Sequence, residues 1–225
     1  MTVLSAREAY RLWAPSYADE TAISFLDAEL AADLTPPLEG LRLLDAGCGT
    51  GRRLRGTGAA LAVGVDLSSD MLKAGAGQGR GGENIETLVA DVRDLPLAGD
   101  GFDVIWCRLV IGHLPEIAPA YAELARVADR GAQLIVTDFH PAAWAAGHRR
   151  SFRIGSDVHE IEHYVHDLTA HRTAAEAAGW RLLEVCDAAI GPAVLPFYEK
   201  AGRQALYAKH LGLPVVLGLA FGREG

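Results

Sequence analysis

The chain has 225 residues, half of them apolar, with 21 basic and 29 acidic side chains and a formal net charge of −8. That length can bury one substantial core, and the acidic balance argues against a partner held mainly through phosphates, so no nucleic acid is expected. Three cysteines cannot all pair, the N-terminus does not read as a signal peptide, and no run approaches the ~20 apolar residues of a membrane span. The expected setting is cytoplasmic, with no membrane partner.

Residues 5–13 and 20–34 are predicted as two N-terminal helices. The second gathers Ile23, Phe25, Leu26, Leu30 and Leu34 near one face and stops at Pro36-Pro37. Short apolar runs at 41–46, 61–65, 85–90, 102–107 and 132–137 then alternate with helical segments near 50–58, 69–76 and 116–128. Such alternation signals a parallel sheet covered on both faces. The glycine-rich stretch 75–82 reads as a surface connection unable to hold a helix. Residues 139–166 carry many His, Arg and aromatic side chains without a clear period. A helix near 167–178, a strand at 181–188, a helix near 199–210 and a final strand at 214–221 complete the pattern, with no linker to divide two domains.

The segment Leu43-Leu44-Asp45-Ala46-Gly47-Cys48-Gly49-Thr50-Gly51-Arg52 is the most informative. A strand runs into a loop with glycine at every second position, where a ligand can lie against bare backbone. A dinucleotide loop wants a small residue where this chain has Arg52. Asp45 beside the loop would repel a pyrophosphate but suits a ligand carrying an ammonium and a sulfonium, which argues for S-adenosylmethionine (SAM) over NAD.

The D-x-G-x-G-x-G arrangement resembles motif I of the class I SAM-dependent methyltransferases, in particular small-molecule enzymes of the UbiE/BioC-like type. The resemblance continues in order over roughly residues 40–140, through Gly64-Val65-Asp66-Leu67-Ser68, Ala90-Asp91-Val92, Asp94-Leu95-Pro96, Phe102-Asp103-Val104-Ile105, His113-Leu114 and Gly131-Ala132-Gln133-Leu134. It implies a Rossmann-like α/β fold, a seven-stranded mostly parallel sheet with helices on both faces and the last strand antiparallel. It also implies that Asp66 holds both ribose hydroxyls, Asp91 accepts from the adenine amino group and the N–H of Val92 reaches the ring. Gly47, Gly49, Gly51, Leu67, Met71 and Tyr17 join these as cofactor contacts, with Cys107, otherwise read as core.

The resemblance places the acceptor against the N-terminal helices and the segments after strands four and five. One domain spanning 1–225 is expected, with N-terminal helices over 1–36 and an inserted lid at about 139–166. Trp13, Tyr17, His140, Trp144, His163 and Tyr164 are its candidate acceptor contacts. His113 and His140, following strands four and five, are the candidate general bases, because imidazole titrates in the useful range. His159, His163 and His166 could align as a metal site, but no Cys or carboxylate set flanks them and no metal is expected. The expected function is methyl transfer from SAM to a small-molecule acceptor, at O or N. The alternatives are a non-catalytic SAM-binding protein and, less favoured, an NAD-dependent dehydrogenase or a tRNA methyltransferase.

Overall fold

A computed structural model describes residues 2–17, 19–76 and 84–224. After a short strand β1 (Thr2–Leu4) and helix α1 (Ala6–Trp13), α2 (Ala22–Leu34) begins at a capping box. In that box the Thr21 hydroxyl accepts from Ser24 N–H, and the Ser24 hydroxyl accepts from Thr21 N–H. The sheet strands are β2 (Arg42–Ala46), β3 (Leu61–Asp66), β4 (Ile85–Val89), β5 (Phe102–Arg108), β6 (Ala128–Phe139), β9 (Trp180–Ala189) and β10 (Pro214–Arg223). Helices α3 (Ser69–Ala76), α4 (Ala118–Val127), α5 (Pro141–Ala145), α6 (Leu168–Ala177), α7 (Leu195–Lys200) and α8 (Gln204–His210) connect them, and β7 (Ser151–Ile154) with β8 (Asp157–Ile161) forms a hairpin.

The strand order is β4-β3-β2-β5-β6-β10-β9, with β10 antiparallel to both of its neighbours and the strands from β4 to β6 parallel. This is the seven-stranded mostly parallel arrangement the sequence led us to expect. Its central strands are buried on both sides, and their alternation sorts one core from the other. Leu44, Val63, Ile105 and Leu134 pack with Tyr121 and Leu124 of α4 and Ala175 of α6. Leu43, Ala62, Val104 and Ile135 face the other way, toward Ala31 and Leu34 of α2.

Three local readings differ from expectation. The helix near 50–58 shrinks to a 3-10 turn at Arg52–Leu54, because Gly51, Gly56 and Gly58 all take positive φ and Arg55 is extended. The helix near 199–210 divides into α7 and α8 at Gly202, also at positive φ. Residues 139–166 are regular: α5 and the β7–β8 hairpin occupy much of them, and β8 pairs in parallel with β1 into a three-stranded sheet. These strands show no period because each buries only one residue, Phe152 in β7 and Ile161 in β8. Phe152 stacks on Trp13 at 5.2 Å and on His159 at 5.5 Å, which fastens the hairpin to α1.

Of the glycine-rich stretch, Gly77–Gly82 lie outside the described residues, while Gly75 stands inside α3. A Cβ there would overlap the Thr50 carbonyl, so the missing side chain lets α3 lie directly on the glycine loop. Gly→Ala in an exposed helix normally stabilises by up to about 1 kcal/mol. Here backbone meets backbone and neither can yield, so Gly75→Ala should lose about 1–3 kcal/mol in urea denaturation. A gain would mean that α3 does not rest on the loop.

Candidate active site

The carboxyl ends of β2, β3, β4 and β5 open onto one cavity of about 350 Å³, within the range of small-molecule and cofactor sites. One half is lined by Asp45, Gly47–Thr50, Asp66–Ser68, Met71 and Ala90–Arg93. The other half is lined by Tyr10, Tyr17, Leu109, Val110, His113, Leu114, Arg150, Glu162 and Tyr164.

In the first half Gly47 takes φ +90° with its bare α-carbon against Val110, where any Cβ would overlap the valine. The loop is tied to the next strand by two bonds: Gly47 and Cys48 N–H both donate to Val65 O, at 2.7 and 2.9 Å. Asp66 then receives Gly49 N–H on Oδ2 and Ser68 N–H on Oδ1, both at 2.8 Å. Burial raises its pKa, and those two donors act in the opposite direction. Each oxygen keeps a lone pair for the cavity. Asp91 is spanned by Arg93, whose Nε and Nη2 donate at 2.9 and 2.6 Å, and that pairing holds it below the usual carboxylate range.

Asp45 is 3% exposed, and desolvation pushes its carboxyl up to about 7, with Arg108 restraining the rise. Arg108 itself is buried against Asp27 of α2, Nη2 to Oδ2 at 2.5 Å, and the Thr137 hydroxyl donates to the other Asp27 oxygen at 2.6 Å. The basic cluster noted in the sequence acts as a clasp: Arg53 donates to Glu20 and to Ser24 O, and Arg55 donates to Gly75 O.

A family profile described as a methyltransferase domain matches residues 44–136, the stretch that builds the first half of this cavity. Over that stretch the chain is similar to the class I SAM-dependent methyltransferases. It is 31% identical over 177 residues to methyltransferase GfsG of Streptomyces halstedii, covering 71% of this chain and 62% of that protein. It is 36% identical over 121 residues to the ubiquinone/menaquinone biosynthesis C-methyltransferase UbiE of Sinorhizobium fredii, covering 50% of this chain and 47% of that one. It thus spans less than two thirds of either relative. A SAM-dependent methyltransferase structure from Mesorhizobium loti superposes with a TM-score of 0.67 at 20% identity, covering 88% of this chain and 98% of that chain, a likeness of fold.

The residues of the cavity fit SAM. Asp66 offers two acceptor oxygens to a pair of ribose hydroxyls, and Asp91 offers an ionised acceptor at the next strand end. Asp45 meets the charge requirement of an ammonium group. Thr50 Oγ1, also on the loop, is buried without a hydrogen-bond partner, a vacancy that a polar ligand atom would satisfy.

Of the expected cofactor residues, Tyr17, Asp45, Gly47, Gly49, Asp66, Leu67, Met71, Asp91 and Val92 line the cavity. Gly51 and Cys107 are outside that lining. Gly51 serves the turn, at φ +69°, and Cys107 is fully buried in the core beneath Asp45. Of the acceptor candidates, Tyr17 and Tyr164 line it, whereas Trp13, His140, Trp144 and His163 do not. Trp13 is committed to its stack with Phe152, and Trp144 to the guanidinium of Arg149, 3.7 Å from its ring. His140 is an N-cap: its Nδ1 accepts from Ala142 N–H, and its Nε2 faces Asp187 at 3.5 Å. His-Pro at a helix start was a readable capping signal. His163 lies behind Gly112 against Phe139, and burial lowers its pKa to about 4.

His113 does reach the cavity, but burial first and the Arg150 charge next hold its pKa down to about 3. Its Nε2 lies 3.0 Å from the Tyr10 hydroxyl and its Nδ1 3.3 Å from Glu162 O. Sequence reasoning missed Arg108 and Arg150, whose roles depend on partners 81 and 41 residues away. No group of three metal-ligating side chains occurs among the described residues, and none of their helices is long and apolar enough to cross a membrane.

The Asp45 carboxyl sets a pH dependence of cofactor affinity. Its folded pKa of about 7 lies above the ordinary carboxylate value, so below pH 7 the cofactor-free protein holds a proton that an incoming ammonium must displace. Affinity for S-adenosylhomocysteine should therefore fall as pH drops through 7, by up to about tenfold per unit. Calorimetry on Asp45→Asn should show weaker binding that no longer varies between pH 5 and about 7. An equal slope in the variant would remove Asp45 from the cofactor contacts.

Proposed function

We propose that this chain transfers a methyl group from SAM to a small-molecule acceptor held in the second half of the cavity, at an oxygen or nitrogen atom. The observation that carries this reading is one continuous cavity with two chemically distinct halves. The half matched to SAM is lined by carboxylates and bare backbone, and the half facing it is walled by Tyr10, Tyr17, Leu109, Val110 and Leu114. When bound, SAM supplies a methyl group on an already activated sulfonium, so the protein's work is to position the acceptor and exclude water. Leu109, at φ +55°, turns the chain sharply at the end of β5 and carries Val110 beneath the glycine loop. Residues of the 139–166 region reach the acceptor half through Arg150, with Glu162 and Tyr164 following the hairpin. We read the hairpin and α1 together as the wall that covers the acceptor.

The names of the curated relatives, which include a C-methyltransferase and a ubiquinone biosynthesis O-methyltransferase, support a small acceptor without fixing its identity. Incubation with methyl-labelled SAM and a panel of small phenols, amines and carboxylic acids should yield S-adenosylhomocysteine in an acceptor-dependent manner. Asp66→Ala should abolish most of it by weakening SAM, about 10-fold or more for a charged acceptor of hydrogen bonds. His140→Gln should keep turnover within about threefold, since an N-cap contributes only ~1 kcal/mol. Tight SAM binding with no acceptor-dependent product across the panel would favour a binding protein instead.

A further inference from the structure

The second half of the cavity holds a guanidinium that no carboxylate of the described residues pairs. Arg150, half-buried just before β7, donates through Nη1 to Leu109 O and through Nη2 to the Tyr10 hydroxyl, both at 3.0 Å. Both partners are neutral, and no carboxylate of the described residues lies within 4 Å of it. The other half-buried arginines of the cavity wall are paired: Arg52 and Arg53 with Glu20, Arg108 with Asp27. An unpaired guanidinium taken out of water is costly, and its planar fork has donors to spare.

The two side chains linked to Arg150, Tyr10 and His113, are not free to act as bases. The hydrogen-bond network assigns the tautomer: Nδ1–H of His113 donates to Glu162 O, so Nε2 accepts from the Tyr10 hydroxyl, whose oxygen accepts from Arg150. The one basic lone pair in that chain, on His113 Nε2, is taken by the Tyr10 hydroxyl. His113, with its pKa down at about 3, is a feeble proton acceptor.

Resting on the methyl-transfer reading above, we propose that the acceptor reacts as an anion, the ionised oxygen of a flat apolar phenol or enol, with its charge held by Arg150. The proton leaves to solvent as the acceptor ionises. In the transfer an O–C bond forms as the S–C bond breaks, and an oxyanion and a sulfonium become a neutral ether and a neutral thioether. No proton moves in that step, which suits a site where neither Tyr10 nor His113 is free to take one. Leu109, Val110, Leu114 and Tyr17 give the apolar and aromatic walls that such a molecule needs.

The test titrates 4-nitrophenol and its neutral methyl ether, 4-nitroanisole, into the protein with and without saturating S-adenosylhomocysteine, using visible absorbance to report the phenolate. The nitrophenol should bind about tenfold or more tightly than the ether and be more ionised when bound than when free. Arg150→Gln should bring that preference to within about twofold, while Arg150→Lys keeps part of it. Tyr10→Phe, which removes only the hydroxyl that orients the guanidinium, should lower it about two- to fivefold. S-adenosylhomocysteine affinity should move by less than about threefold in all three variants, since Arg150 and Tyr10 lie in the other half of the cavity. Equal affinity for the two probes, no binding of either, or a preference that survives Arg150→Gln would overturn the proposal. Loss of S-adenosylhomocysteine affinity in parallel with the preference would also overturn it, by making Arg150 a structural residue. Failure of the unaltered protein to bind S-adenosylhomocysteine would count against the cofactor reading, and the titration without it would still decide the role of Arg150.

Discussion

A guanidinium buried at the end of β5 sets the terms for everything around it. Arg108 is withdrawn from water between α2 and the sheet, and Asp27 is the carboxylate that answers it, itself held by the Thr137 hydroxyl of β6. Breaking a buried pair by removing one partner costs about 3–5 kcal/mol, because the surviving charge stays where water cannot reach it. The pair therefore fixes α2, β5 and β6 in one relation. It also leaves a positive field beside Asp45, which keeps that carboxyl near 7 when burial alone would push it higher. The cofactor half of the cavity inherits its charge balance from this contact.

The two halves then solve opposite problems. Toward the glycine loop the chain presents Asp45, Asp66 and Asp91; Asp91 is already paired with Arg93, and a cationic, hydroxyl-rich ligand would relieve the repulsion between Asp45 and Asp66. In the other half it presents Arg150, two neutral rings, Tyr10 and His113, and a Glu162 carboxylate that does not pair with the guanidinium. Methyl transfer between a sulfonium and an anion would neutralise both partners. A site polarised in this way holds the reactants more strongly than the products, which favours release.

The cofactor half was legible in the sequence because it is local. A strand, a glycine turn and an aspartate two residues before it form one short segment, and strand-end acids recur at Asp66 and Asp91 with spacing that alternation already explains. The acceptor half was not, because long-range pairing makes it. Tyr10 and Arg150 meet across 140 residues, and Arg108 finds Asp27 across 81. The β1–β8–β7 sheet escaped notice because β7 and β8 bury one residue each and β1 none, which leaves no period to read. The histidines need a different account. Their place after strands four and five marked His113 and His140 as candidate bases and composition marked His163 as an acceptor contact, whereas His140 caps a helix and His163 packs behind Gly112.

The charge and geometry of the glycine loop call for SAM to lie along it with its ribose on Asp66. Amide hydrogen exchange with and without S-adenosylhomocysteine tests it most directly, since the N–H groups of Gly49 and Ser68 already bond Asp66, and Gly47 and Cys48 bond Val65. The ligand should slow exchange at 47–50, 66–68 and 91–93 together, because one bound molecule touches all three strand ends. Protection confined elsewhere, or protection by NADH at the same amides in its place, would mean that SAM does not lie along the glycine loop.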